Sequence, residues 1–187
     1  NYIDTARNEI AKLPLNLQKF YLAPLLYLAS NHTNTSGVFK GFYKNKKGIG
    51  EFGGEGQNAL KRIKAKITLQ IPVFSSFNCD FKVFQKDANK LVKELEEVDL
   101  CYIDPPYNQH PYGSNYFMLN LIAKNERPSK ISEISGIPKD WNRSDYNKKK
   151  VASEAFFELI SNLKAKFVLI SYNSEGFISK NEFLTNL

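Results

Sequence analysis

The four residues 104–107, Asp-Pro-Pro-Tyr, could together bind a planar molecule that carries an amino group. They follow the apolar residues 98–103, and in open parallel sheets ligands bind just past the carboxyl ends of the strands. Proline has no backbone N–H and a restricted backbone, so the carbonyls here act only as acceptors. An acidic side chain beside such a carbonyl suits an amino group, and the tyrosine ring offers a face for stacking. A turn that only ends a strand is the alternative, because Asp and Pro are frequent in turns.

A second carboxylate, Asp87, stands seventeen residues before Asp104. It follows a strand-like segment that ends at Val83 and Phe84, and it precedes residues that suit a helix. We therefore expect its carboxylate at the edge of the neighbouring strand. A helix N-cap is an equally good interpretation, since Asp is favoured at that position.

The elements that would position these residues alternate in the second half of the chain. Residues 88–97 suit a helix and 98–103 a strand, and a short helix is possible near 116–124. Residues 149–163 form an amphipathic pattern, and 167–172 are typical of a fully buried strand. Strands alternating with helices predict an α/β fold with a parallel sheet.

The first half of the chain has a different pattern. Residues 3–31 show helical spacing interrupted by Pro14 and Pro24, which predicts two packed helices. Residues 31–56 are rich in Asn, Ser, Gly and Lys and predict loops, 57–66 a short basic helix, and 67–74 a strand. We expect residues 1–75 to be a helical, basic, loop-rich portion and residues 76–187 to carry the chemistry.

Positive charge is concentrated in one segment. The net charge is +7 and the pI about 9.2. Eight Lys or Arg against two Glu between residues 37 and 70 give that segment +6. Cations interleaved with aromatic residues favour a polyanion such as nucleic acid, although a solvated basic face explains such a cluster equally well. The candidate contacts are Lys40, Lys44, Lys46, Lys47, Lys61 and Arg62, with Tyr112 and Tyr116 as stacking or packing side chains.

Composition excludes several classes of protein. With 187 residues, 42% of them apolar, the chain can bury the core of one domain. It contains neither an apolar run that would span a bilayer nor a signal peptide, so we expect a cytoplasmic protein. Cys79 and Cys101 lack metal-ligand or disulfide spacing, and we expect no metal site.

The stretches DPPYNQHPYGSNYFMLNLI (104–122) and LISYNSEGFIS (169–179) resemble the D12-like class of adenine-specific DNA methyltransferases. The resemblance covers residues 80–180 well and, more loosely, the helical amino-terminal part through residues 34–39. It implies a class I, Rossmann-like fold that uses S-adenosylmethionine to methylate the exocyclic amino group of adenine in duplex DNA. It also implies a bacterial restriction-modification setting, with an endonuclease that acts on the same site.

The resemblance also assigns roles to individual residues. Asp104 and the Pro105 carbonyl would accept hydrogen bonds from the amino group of a flipped adenine, and Tyr107 would stack on the base. Pro106 completes the catalytic motif. Asp87 resembles the position near the adenine ring of the cofactor, and Asp104 would also face the cofactor. Methyl transfer would be direct, with placement and electrostatics as the source of catalysis.

One glycine cluster matches the sequence pattern of the family's cofactor loop. Residues 52–56, Phe-Gly-Gly-Glu-Gly, satisfy F-x-G-x-G, but no hydrophobic strand precedes them to aim the backbone at a ligand. We interpret them as a flexible loop facing DNA. The cofactor loop would then lie upstream of Asn1, and because Met118 is the single methionine, we expect a fragment.

Two other functions remain open at this point. An RNA or rRNA base methyltransferase can carry the same four-residue motif. A non-catalytic nucleic-acid-binding piece that lacks the cofactor loop is the alternative from a different class.

Overall fold

The computed structural model describes residues 2–35, 43–133 and 136–187 of the chain. These residues form two compact units, the first made of Asn1–Asn78 and Tyr112–Trp141, the second of Cys79–Pro111 and Asn142–Leu187. The functional division expected after residue 75 stays a prediction. The compact units have their own boundary, and residues 112–141 belong with the amino-terminal ones.

Ten elements follow one another in the described chain. They are α1 (Tyr2–Ala11), α2 (Leu15–Asn31), α3 (Leu60–Ile63), α4 (Ala88–Leu91), β1 (Val98–Ile103), α5 (Tyr112–Asn115), α6 (Phe117–Lys124), α7 (Ala152–Asn162), β2 (Ala165–Ile170) and α8 (Lys180–Asn186). Two single turns of 3₁₀ helix, Glu55–Gln57 and Asp145–Asn147, complete the set. Among the described residues, no helix is both long and apolar enough to cross a bilayer.

The expected pair of amino-terminal helices is confirmed, since α1 and α2 pack against each other in the first unit. Pro14 is the residue that precedes α2, where a missing N–H costs nothing. Pro24 lies inside α2, and the helix continues past it. A proline removes one intrahelical hydrogen bond but does not have to end a helix.

Arg7 joins α1 to the end of α6 in the same unit. Its guanidinium donates from Nε to the carbonyl of Ile122 at 2.7 Å and from Nη2 to that of Ala123 at 3.0 Å. The last carbonyls of a helix have no intrahelical partner, and a cation there also interacts favourably with the helix dipole. Arg7 is therefore a buried structural residue in a chain whose other cations are mostly exposed.

The second unit is built on a parallel pair of strands. β1 and β2 run in the same direction with Leu100 opposite Phe167 and Ile103 opposite Ile170. The connection between them contains α7, as a parallel pair requires. The predicted strand at 98–103 and the helix within 149–163 are confirmed, and the α/β class with them.

The expectation that 167–172 is a fully buried strand is wrong for the described chain. Leu100, Tyr102, Phe167 and Leu169 occupy one face of the pair and are 57 to 71% exposed. The side chains of the opposite face, such as Ile103 and Ile170, belong to or contact the core that includes α7. Only one face is covered, although an uninterrupted apolar run is typical of strands covered on both faces.

Two further expected strands are absent. Residues 64–87 form no β pairing, and Val73 in that stretch is fully exposed. Alternating apolar residues describe how a strand would fit a sheet, but a strand also needs a partner for its backbone groups. The helix expected at 88–97 is limited to α4 and the turn that follows it.

The core of the second unit centres on Phe156 of α7, which is completely buried. Its ring meets those of Phe157, Tyr172 and Phe183 edge to face at centroid distances of 5.3 to 6.4 Å. Such pairs contribute about 0.5–1.5 kcal/mol each beyond the area that they bury. This cluster holds α7 and α8 against the chain that follows β2.

Replacing Phe156 with alanine should lower the free energy of unfolding by about 3–5 kcal/mol, because it leaves a cavity in this core. Urea denaturation followed by circular dichroism measures the change. Leu184→Ala on α8 is the matched control, since that side chain is mostly exposed and should change the free energy of unfolding by less than about 0.5 kcal/mol. Equal effects of the two substitutions would contradict the central role of Phe156.

Arg7→Met should destabilise the first unit by about 1–3 kcal/mol, since the carbonyls of Ile122 and Ala123 lose their charged donor. Thermal denaturation of the variant provides the measurement. Lys12→Met removes an equal charge from an exposed pair with Glu9 and should cost little. A larger shift for Lys12→Met than for Arg7→Met would refute the assignment.

Candidate active site

The motif residues lie where β1 ends, at the carboxyl edge of the parallel pair. Asp104 is exposed there, Pro105 is buried, and Pro106 and Tyr107 are partly buried. A buried proline next to an exposed carboxylate keeps the turn rigid while the carboxylate stays accessible. The arrangement can present acceptors to a ligand that approaches the end of the strand.

Three backbone carbonyls around this turn are bound by donors from later in the chain. Ser171 N donates to the carbonyl of Ile103 at 2.9 Å, and Phe177 N donates to that of Tyr107 at 3.0 Å. Asn147 donates from Nδ2 to the carbonyl of Asn108 at 2.7 Å. The motif is thus held on both sides.

Tyr107 lies against the segment 169–179, which begins with the last two residues of β2 and continues past the end of that strand. Its ring meets that of Tyr172 edge to face, with centroids 6.3 Å apart. Burial raises the pKa of the Tyr172 hydroxyl, which accepts a hydrogen bond from Ile178 N at 3.2 Å. A Cβ at Gly176 would come within 2.3 Å of the Tyr172 ring, so only glycine lets the chain pass so closely. Both stretches that resemble the family therefore meet at this site.

A cavity of about 950 Å³ opens beside the motif within the second unit. The charged residues of its lining include Asp87, Asp104 and Arg143, and the motif prolines Pro105 and Pro106 lie beside them. Leu91, Val92 and Leu95 form an apolar part of the lining. Tyr107 is not part of this lining. The two carboxylates that are each predicted to face the cofactor thus line one cavity, of a volume usual for small-molecule sites.

Asp87 also caps α4, because its Oδ1 accepts a hydrogen bond from Lys90 N at 3.0 Å. The N-cap interpretation is therefore confirmed. A carboxylate has about four acceptor positions, so the cap leaves capacity for a ligand. The role of Asp87 toward a cofactor stays a prediction.

Residues 142–147, here called the strap, contribute Asn142, Arg143, Ser144 and Tyr146 to the lining of the cavity. Tyr146 donates from its hydroxyl to Asn89 Oδ1 at 2.6 Å, and Asn89 in turn donates to the carbonyl of Ala155 at 2.8 Å. Burial first, and then the charge of Asp87, raise the pKa of the Tyr146 hydroxyl, so it remains a donor. With Asn147 bound to Asn108, the strap connects the helix that Asp87 caps to the turn that follows Asp104.

Several of the predicted nucleic-acid contacts lie on a hairpin turn in the first unit. Lys44 pairs with Gly50 across the hairpin, and Asn45 N donates to the carbonyl of Ile49 at 2.8 Å. The side chains of Lys44, Lys46 and Lys47 are exposed, while Lys40 lies outside the described residues. The role of these lysines as nucleic-acid contacts stays a prediction.

Arg62 and Lys61 stand next to each other in α3 but differ in their contacts. Lys61 is exposed. Arg62 donates to the carbonyls of Asn31 and Thr35 and to the hydroxyl of Tyr43, which gives it an internal role within the first unit. Its assignment as a DNA contact stays a prediction.

Tyr112 and Tyr116 belong to the first unit, and Tyr107 belongs to the second. The rings of Tyr112 and Tyr116 pack against each other with centroids 5.8 Å apart, and both are exposed. They occupy the i and i+4 positions of one helical turn, which places them on a common face. A stacking role toward bases stays a prediction for the pair.

The glycine cluster at 52–56 is a packed turn. Gly53 N donates to Asn34 Oδ1 at 2.9 Å, and a Cβ on Gly53 would come within 2.7 Å of the Leu60 side chain. Gly54 lies under the ring of Tyr43. Both glycines also have a positive φ, 92° at Gly53 and 75° at Gly54, which other residues rarely adopt. The Gly53 N–H is already bound, which argues against a cofactor loop here.

Sequence reasoning missed several residues of the site. Tyr146, Asn147 and Asn89 were not singled out, because their roles depend on contacts with residues 39 to 66 positions away. No residue type or spacing in the strap signals a ligand. Only the cavity places Arg143 beside the motif.

Known proteins similar to this chain are type II methyltransferases and modification methylases. The type II methyltransferase M.NlaIII of Neisseria lactamica is 34% identical over 160 residues, which cover 86% of this chain and 43% of the relative. The type II methyltransferase M.CviAII of Paramecium bursaria Chlorella virus 1 is 30% identical over 191 residues, or 99% and 52% of the two chains. The modification methylase StsI of Streptococcus sanguinis is 43% identical over 110 residues, 57% of this chain and 16% of the relative.

The chain thus spans about half the length, or less, of these curated relatives. The comparison with solved structures gave no match. The family model for D12 class N6 adenine-specific DNA methyltransferase matches residues 1–186. This match covers almost the whole chain and includes both stretches on which the resemblance was based, and the chain therefore belongs to that family.

Proposed function

We propose that the protein transfers a methyl group from S-adenosylmethionine to the exocyclic amino group of adenine within a specific duplex DNA sequence. The observation that carries this proposal is the Asp-Pro-Pro-Tyr turn at the end of β1, beside a cavity, with three hydrogen bonds to the backbone carbonyls of Ile103, Tyr107 and Asn108. Family membership supports the reaction class. The finer assignment of the fold as class I and Rossmann-like is supported by the parallel strand pair with its helical crossover.

The cavity suits the cofactor in size and charge. Asp87 and Asp104 supply negative charge for a molecule with a sulfonium and an ammonium group, and Leu91, Val92 and Leu95 supply an apolar wall for its adenine. The cofactor, when bound, supplies a methyl group made electrophilic by the sulfonium. Asp87 and Asp104 are the residues that would hold it.

The chain's own groups would position the target base. The Asp104 carboxylate and the Pro105 carbonyl accept hydrogen bonds from the two N–H groups of the amino group, which aims the nitrogen lone pair away from both acceptors. Tyr107 stacks on the flipped base, its ring orientation supported by the edge-to-face contact with Tyr172. These groups act by placement and electrostatics, with no covalent bond to the protein.

DNA is the proposed partner, and the hairpin with Lys44, Lys46 and Lys47 is the proposed contact to its phosphates. Lys40, Lys61, Arg62, Tyr112 and Tyr116 complete the proposed nucleic-acid surface. The relatives' descriptions as type II methyltransferases and modification methylases favour a restriction-modification system, with an endonuclease acting on the same site.

Asp104→Ala should lower the methylation rate by at least about 100-fold, because it removes an acceptor that acts on the reacting amino group. Transfer of a labelled methyl group to duplex DNA measures the rate, and a binding assay should show DNA affinity within about twofold. Asp99→Ala is the matched control, since this carboxylate pairs with Lys166 at the surface of the same strand pair. Methylation that survives Asp104→Ala would refute the proposal, as would transfer to structured RNA in preference to duplex DNA.

The double substitution of Lys46 and Lys47 with glutamine should weaken DNA binding and flatten its salt dependence. If each lysine neutralises one phosphate, the slope of log K against log salt should become less negative by about 1.8. Fluorescence anisotropy at several salt concentrations measures the slope. Lys12→Gln with Lys19→Gln removes the same charge from the helical part of the first unit, and a slope change of equal size there would contradict the role of the hairpin.

A further inference from the structure

The backbone that follows the Tyr107 ring is bound at two successive carbonyls. Phe177 N donates to the carbonyl of Tyr107 at 3.0 Å, and the side-chain amide of Asn147 donates to that of Asn108 at 2.7 Å. Asn108 also closes the turn locally, because its Oδ1 accepts a hydrogen bond from His110 N at 2.9 Å. The chain on the carboxyl side of Tyr107 is therefore fixed by both distant and local donors.

The motif residues that precede Tyr107 have no comparable bonds. In the part of the chain that the structure describes, no donor binds the side chain of Asp104 or the carbonyls of Pro105 and Pro106. The two prolines cannot donate from the backbone either. The position of the Tyr107 ring consequently depends on the bonds that flank the motif, and not on bonds within it.

The three donors that hold the carbonyls around the motif differ in one respect. Ser171 and Phe177 donate from the backbone, and a substitution leaves the N–H of each in place. Asn147 donates from its side chain. Of these three bonds, only the one from Asn147 requires a particular type of residue at its position.

The strap holds Asn147 in place for this contact. Asn147 is partly buried, and its N–H donates to the carbonyl of Ser144 at 3.2 Å. The neighbouring Tyr146 is partly buried as well, and its hydroxyl donates to Asn89 Oδ1 at 2.6 Å. Because the turn that carries the amide is already ordered, the bond to Asn108 costs little further conformational entropy.

We propose that Asn147 is a positioning residue for methyl transfer, which sets the orientation of the Tyr107 ring toward the target base by holding the carbonyl of Asn108. The inference rests on the proposed function and adds a residue that acts through Tyr107. Small displacements of groups that place a substrate cost large factors in rate. Both Tyr107 and Asn147 lie outside the cavity lining, so cofactor binding should not depend on this contact.

Asn147→Ala removes the amide donor and should lower kcat about tenfold or more, while the KM for S-adenosylmethionine stays within about twofold. Transfer of a labelled methyl group to duplex DNA by the full chain measures both constants. Asn147→Asp keeps the size of the side chain, but an ionised carboxylate can only accept, so this variant should lose at least as much. Asn147→Gln retains the amide and should lose less than either.

A double-substitution cycle separates positioning from a general effect on stability. In a Tyr107→Ala background, Asn147→Ala should lower kcat further by no more than about twofold, because the ring that it positions is gone. Asp145→Asn is the matched control, since this exposed side chain of the same turn pairs with Lys148 at the surface and should leave kcat unchanged. If circular dichroism shows that the alanine variant is unfolded, Asn147→Asp takes its place in the cycle.

The outcomes distinguish the role of Asn147 from the function on which it rests. A full loss of kcat in the Tyr107→Ala background would overturn the inference, because Asn147 would then act through another part of the site. An unchanged kcat, or a higher KM for the cofactor with no change in kcat, would overturn it as well. In these cases the unaltered chain still methylates duplex DNA and the proposed function stands. If the unaltered chain transferred no methyl group, both would fail.

Discussion

The candidate site depends on the hydrogen bonds that hold the carbonyls on both sides of the Asp-Pro-Pro-Tyr turn. Proline has no N–H with which to fasten such a turn from within, so the turn must be fastened through its neighbours. Ser171 binds the carbonyl before it, and Phe177 and Asn147 bind the carbonyls after Pro106. Because these donors come from the chain after β2 and from the strap, the register of the parallel pair determines the position of the motif.

The cavity, like the turn, is formed by parts of the chain that are distant in sequence. Its carboxylates come from two different elements, Asp104 after β1 and Asp87 at the start of α4, and neither element alone forms a concave surface. The strap closes one wall by bonding to both, through Asn89 and Asn108. A capping residue of a helix thereby also becomes a lining residue of a ligand site, and the two interpretations of Asp87 are compatible.

Sequence reasoning predicted the parts of the structure that depend on local pattern. The strand at 98–103, the helix within 149–163 and the amino-terminal helix pair have clear periodicity, and the motif follows its strand directly. It failed at residues 67–74 and 83–84, where alternation exists without a partner strand. It also failed at the exposed face of β2, because an apolar run shows the character of a strand but not what covers it. The role of the strap could not be predicted from the sequence, because it depends on hydrogen bonds to residues that are distant in the chain.

The hydrogen-bond donors that hold the motif come from much later in the chain than the motif itself. Residues 103 to 108 acquire their final geometry only when donors that lie 39 to 70 residues after them in the sequence have formed hydrogen bonds with them. Contacts of such sequence separation close large loops and are slow to form compared with local helices. The acceptors for an amino group are therefore assembled late in folding, so helical segments of this chain can be in place before the site that they support exists.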